Sequence, residues 1–148
     1  MRTILLVVHI AAVAAWLGAN FTQLALTPRF AKEDSATAAA WTRHTMWLGE
    51  RYYSGAGAVI ALSGVALVTH GHWSWSGGFI WVGVAVIIIG AAMGVLLFTP
   101  LAKQRIAALE SGDKAAAAAA QGRTIVLALV DTALVLTAIV VMVRKWHA

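Results

Sequence analysis

A handful of polar side chains fall where hydrocarbon would surround them, and these are the places where the sequence could do chemistry. In the first apolar run His9, Val13, Trp16, Asn20 and Gln23 recur at spacings of four, three, four and three residues, which puts them on one face of a helix. Polar groups in lipid are costly, so that face is expected to look into a bundle. His9, the histidine lying well inside an apolar run, sits about 9 Å below the membrane boundary if the helix begins near Thr3. A neutral imidazole at that depth can be an axial ligand to haem iron or a copper ligand. Equally, it can hydrogen-bond a neighbouring helix or line a small wet cavity.

His70 and His72 close the second apolar run beside Trp73 and Trp75, and His147 falls on the same side. Imidazole ligands need only meet in the fold. His9, His70 and His72 therefore form a candidate cofactor set, with His9 as the metal ligand and Trp16 packed nearby. His-x-His beside Trp is also ordinary interfacial sequence. Asp131 lies eight residues after Arg123, about 12 Å into the membrane, and Asn20 lies at the same depth counted back from Pro28. The two are expected to meet as an intramembrane polar pair. A carboxylate there must be protonated or paired with a donor such as Asn20, Arg51, Tyr52 or Tyr53. Its role is then either a proton relay or substrate contact, or an interhelical clamp.

The elements that position these groups follow from hydropathy. The chain has 148 residues, of which 61% are hydrophobic and only 11% charged, and its mean hydropathy is +0.81. So few charges cannot cover a soluble surface. Crossing a hydrocarbon core of about 30 Å takes around 20 helical residues. Four runs qualify: Ile4 to Leu26, Tyr52 to His70, Phe79 to Thr99 and Thr124 to Val143. Backbone amides in lipid must be satisfied internally, so each is expected to be helical, giving a single all-α, four-helix transmembrane domain. The first run could alternatively be a signal peptide with Ala11 to Ala15 offering small residues for cleavage. It continues through Phe21 to Leu26, however, which is spanning length. The chain has no cysteine, which excludes disulfides and thiol chemistry.

Eleven Lys and Arg stand against six Asp and Glu, and their placement points to membrane orientation rather than to nucleic acid. Arg29, Lys32, Arg43 and Arg51 lie in the first loop, and Lys103, Arg105, Lys114 and Arg123 in the third. The second loop has none. The positive-inside rule then puts loops one and three in the cytoplasm, with both termini outside a plasma membrane. Trp41 and Trp47 at the inner interface, with Trp73, Trp75, Trp81 and Trp146 at the outer one, form an aromatic belt. Thr27-Pro28 and Thr99-Pro100 are expected to end the first and third spans, each Thr capping a surface helix opened by its Pro. Their offset also aligns Gly18-Ala19 with Gly90-Ala91 and Arg51 with Arg123, the pattern of a duplicated helix pair. Ala115 to Ala120 reads as an extension of the fourth helix. Gly57, Ala61 and Gly64 on the second span, and Gly83, Gly90 and Gly94 on the third, read as faces where backbones approach.

His9-Ile10, Trp16-Leu17-Gly18, Thr27-Pro28-Arg29, Gly64 to Val68, Trp81-Val82-Gly83, Pro100, and Asp131 with Met142 to Lys145 together resemble a bacterial family of small four-helix membrane proteins, domain of unknown function 2269. More distantly, His9-Ile10, Trp16 and Pro28-Arg29-Phe30 look like the first helix of the bacterial membrane protoporphyrinogen oxidase. The layout is also similar to CopD-type copper-resistance membrane domains. The oxidase resemblance implies haem b at the position of His9. The chain departs from the oxidase pattern in lacking a histidine shortly after the Pro-Arg-aromatic stretch and an intramembrane lysine, so the resemblance implies the scaffold rather than the oxidase activity.

Two readings follow. One is a haem b- or copper-binding redox module using His9. The other is a non-catalytic membrane subunit or assembly factor, working as a homo-oligomer or in a larger membrane complex. Its basic loops would meet a partner or anionic lipid. With one intramembrane acid on so small a scaffold, a transporter is disfavoured.

Overall fold

The computed structural model describes residues 1–71 and 73–145. His72, Trp146 and His147 lie outside the described residues. The chain runs through α1 (Arg2–Phe30), α2 (Ser35–Trp47), a π-helical segment (Leu48–Tyr53), α3 (Ser54–His70), α4 (Gly78–Met93), a second π-helical segment (Gly94–Phe98), α5 (Thr99–Ser111) and α6 (Lys114–Lys145). The π segments join α2 to α3 and α4 to α5 without a break. Four continuous helical rods result, each long and apolar enough to cross a membrane. The protein is an all-α, multi-pass membrane bundle.

Lipid must be its solvent. In the most apolar window of each rod only 11–17% of residues are buried inside the bundle. Ile4, Val7, Ile10, Leu62, Val65, Ile88, Leu96, Val126 and Val140 all point outward. An apolar surface this continuous is incompatible with water and is what acyl chains require. The rods form a ring in the order α3, α1, α6, α4. α3 packs chiefly on α1 and α4 chiefly on α6, while the seam between α3 and α4 is sparse.

At the basic end the helices run on past the four apolar runs: α2 and α5 follow as the helices expected after the two prolines, and α6 begins at Lys114, so that Ala115 to Ala120 extend it as expected. α5 packs on both α2 and α6, making a second layer there. The first surface helix is capped by Asp34 rather than by Thr27. Asp34 Oδ1 accepts from the amides of Ala36 (2.9 Å) and Thr37 (3.0 Å). A carboxylate accepts the orphan amides of a first turn better than a hydroxyl already engaged elsewhere. Thr27 is engaged: its hydroxyl accepts from the Trp41 indole at 3.1 Å, and Phe30 stacks on the Trp41 ring.

Nor does Thr99-Pro100 end the helical rod. Proline in a helix removes an amide and crowds the carbonyl four residues back. Here the backbone widens into π geometry just before it, and Thr99 Oγ1 donates to Gly94 O, five residues back, at 3.0 Å. The rod therefore continues to Gly112, where φ of +80° turns the chain into α6. A left-handed residue here favours glycine.

Bonds from the Thr37 hydroxyl and amide, with that of Ala36, hold the Asp34 carboxyl below the usual carboxylate range. A depressed folded value means the cap stabilises α2 above the ordinary Asp pKa and is lost as pH falls through the folded one. Asp34→Ala should accelerate hydrogen exchange of the Ala36 and Thr37 amides at neutral pH while leaving those of α6 unchanged.

Candidate functional site

The inward face of α1 meets three different helices. Near the start of α1 His9 Nδ1 lies 3.1 Å from Ile60 O and 3.0 Å from Ser63 Oγ, both on α3. Ser63 Oγ itself donates to Val59 O at 2.5 Å, the back-bond of a helical serine. With that proton committed, Nδ1 must carry the imidazole hydrogen, leaving Nε2 with the lone pair. This tautomer is suited to a metal ligand.

The space around His9 is small. The cavity that His9 lines, with Val13, Trp16, Gly83, Val86 and Asp131 among its other walls, has a volume of about 50 Å³, against about 300–1,000 Å³ for small-molecule sites. A macrocycle would have to part α1 from α4 and α6. His70 does not join His9. It lies seven residues beyond Ser63 along α3, about 10 Å away along the axis, exposed, with Nδ1 at 3.0 Å from Ala66 O of its own helix. No group of three His, Cys, Asp or Glu side chains that could hold a metal ion occurs among the described residues.

Trp16, Asn20 and Asp131 do come together. The Trp16 indole donates to Asp131 Oδ2 at 3.3 Å and Asn20 Nδ2 donates to the same oxygen at 2.8 Å. Asn20 Nδ2 also reaches Thr132 Oγ1 at 3.3 Å. Tyr53 donates to Asn20 Oδ1 at 2.6 Å, and Gln23 donates to Tyr53 Oη at 2.7 Å. A directional chain thus runs from Gln23 through Tyr53 and Asn20 to Asp131, tying α1 to α6 and to the π segment before α3. Asn20, Asp131 and Thr132 are all buried. Of the donors foreseen for Asp131, Asn20 makes the bond and Tyr53 acts through it. Tyr52 instead donates to Ala15 O. Arg51 makes no bond to it.

Two of the glycines, Gly57 and Gly90, face this cluster. The Trp16 ring lies between Gly57 and Gly90: a methyl at Gly57 would stand 3.1 Å from Trp16 Cζ3, and one at Gly90 3.5 Å from Cζ2. Gly64 gives room to His9, and Gly83 to Met142. Small residues here leave room for large side chains: a side chain at Gly57 would crowd a ring that Asp131 already holds, while the ring lies in ordinary contact distance of Gly90.

Below Trp16, toward the basic end, a second cavity of about 670 Å³ opens between the rods. Its walls are largely small and apolar, with Gly57, Ala61, Gly90, Ala91 and Gly94 from α3, α4 and the second π segment. The α2–α3 π segment contributes Gly49, Glu50 and Tyr53. At its far end is Arg105, counted from the sequence as a loop charge but only 4% exposed. Neither Arg105 nor the cavity was foreseen. The one available signal was the spacing of Ala102, Arg105 and Ala108 on a common helical face.

Protein-family models, curated proteins and solved structures were all compared with the chain. None matches.

Proposed function

We propose that this protein is a non-catalytic membrane binding module, holding one largely apolar molecule in the cavity between its helices. The observation that carries this is the cavity itself: about 670 Å³, squarely in the range of small-molecule sites, inside a bundle small enough that it could have closed. The Asp131 cluster is then the clamp that fixes α1 to α6 and holds Trp16 as the blind end. The bonding pattern favours this role over a proton relay, because Oδ2 of Asp131 and both polar ends of Asn20 are spent on interhelical bonds.

The basic residues support an orientation with the α2–α5 layer in the cytoplasm. The resemblance to the family with domain of unknown function 2269 supports a small four-helix scaffold, and the same basic residues put both termini outside. The cavity then opens toward the inner leaflet.

Gly94→Leu tests the reading. A Cβ at Gly94 meets nothing within 4 Å, and Gly94 lines the cavity, so a leucine there is directed into the volume the ligand would fill. Mass analysis of organic extracts should find a small molecule co-purifying with the wild type and depleted roughly tenfold in the variant. Equal amounts in both would sink the binding reading.

The rival haem b reading at His9 rests on its tautomer and the distant oxidase resemblance. Protein expressed with ample haem is expected to be colourless, and His9→Ala indistinguishable from it in oxidised and dithionite-reduced spectra. A Soret band abolished by His9→Ala would establish the redox module instead.

A further inference from the structure

We infer that the cavity is a site for one anionic phospholipid, with its phosphate on Arg105 and an acyl chain running up to Trp16. This rests on the binding reading above and names its ligand. Three observations converge.

The first is the state of Arg105. It is almost wholly buried, and it makes no hydrogen bond or ion pair among the described residues. Its Nε is a buried donor without an acceptor. Glu50 lines the same cavity yet is not within ion-pair distance, the ion pair among the described residues being Arg43 with Glu110 on the surface. Buried charges in proteins are paired, and guanidinium groups pair best with planar or tetrahedral oxyanions that accept two parallel bonds. A buried arginine with free donors facing a void therefore points to an anion supplied from outside the chain.

The second is shape. From Gly90, beside the Trp16 ring, to Arg105 is fifteen residues along one rod, about 22 Å at helical rise. One leaflet contributes about 15 Å of hydrocarbon, half of a ~30 Å core. A slot of this length accepts one acyl chain with its headgroup at the membrane surface. The wall of Gly57, Ala61, Gly90 and Gly94 is apolar and suits a chain, the polar groups of Asn20, Tyr53 and Asp131 on the other walls being bonded to one another, while Arg105 lies toward the basic end.

The third is access and supply. The seam between α3 and α4 is the sparse one in the ring, and both helices wall the cavity. A chain can thus enter sideways from the bilayer. In the proposed orientation the basic end faces the leaflet in which anionic lipids concentrate.

The test uses the full chain reconstituted into nanodiscs of equal phosphatidylglycerol and phosphatidylcholine, then released and weighed by native mass spectrometry. Wild type should retain phosphatidylglycerol roughly tenfold over phosphatidylcholine. Arg105→Gln should lose that preference, whereas Arg43→Gln, a surface arginine of similar position along the bundle, should keep it. If Arg105→Gln and wild type hold both lipids in the input ratio while Gly94→Leu holds neither, the cavity binds a chain but not an anion, and this inference falls alone. If wild type and Gly94→Leu retain equal lipid, the binding reading falls with it. Should Arg105→Gln fail to fold, wild type retaining the two lipids in the input ratio is by itself enough to overturn the proposal.

Discussion

Asp131→Ala is expected to be among the most destabilising single substitutions in this protein, lowering its unfolding free energy by about 2 kcal/mol or more. The change strands two donors, the Trp16 indole and the Asn20 amide, both bonded to Oδ2 in a buried site. A buried donor left unpaired costs about 1–3 kcal/mol. Interhelical hydrogen bonds in membranes average only about 0.6 kcal/mol, because separated helices find other partners, and this discount puts the expectation near the lower end. Asp131→Asn keeps an oxygen where Oδ2 stands and should recover most of the loss. Thermal unfolding in one detergent, with the three proteins side by side, checks the order. An Asn variant as unstable as the Ala variant would mean that the negative charge, and not the acceptor, holds the cluster.

Trp16→Ala should rival it, and it carries a sharper test. The ring closes the cavity of about 670 Å³ from that of about 50 Å³ and lines both. It also packs edge-on against Tyr53 at 5.0 Å between centroids. Removing a buried tryptophan costs about 3–5 kcal/mol in soluble cores. In lipid the water-transfer part is largely absent and the packing part remains, so a loss of about 2–3 kcal/mol is expected. Gly57 supplies the discriminating partner. In the wild type Gly57→Leu drives its Cβ into the ring and should destabilise, whereas in the Trp16→Ala background the same leucine occupies the vacated volume and should stabilise. Such a change of sign is a direct coupling between contacting residues. Additive effects in a double-mutant cycle would show that the ring does not occupy the space between α3 and α4.

Much of the architecture was legible in the residues. Hydropathy is a property of each segment by itself, so the four spans and their helical state could be read without knowing any neighbour. The polar face of α1 was legible for a related reason: a period of 3.6 places His9, Trp16, Asn20 and Gln23 together whatever else surrounds the helix. Depth is nearly local as well, since rise per residue is fixed, and this is why Asn20 and Asp131 could be matched across 111 residues of sequence.

The tertiary structure decided everything lateral. That His9 turns to Ser63 and the Ile60 carbonyl, that Tyr53 reaches Asn20, and that Gly57 and Gly90 face the Trp16 ring depend on which helix stands beside which. Composition does not record that order. The continuation of the third helical rod past Thr99-Pro100 depended on a local π widening that spares the proline its clash. Arg105 is the clearest case. From sequence it was one of four basic residues in a short connection, where charges ordinarily meet water. Only the packing of α5 against α2 and α6 buries it and opens a cavity beside it, turning a topology signal into a charge that requires a partner.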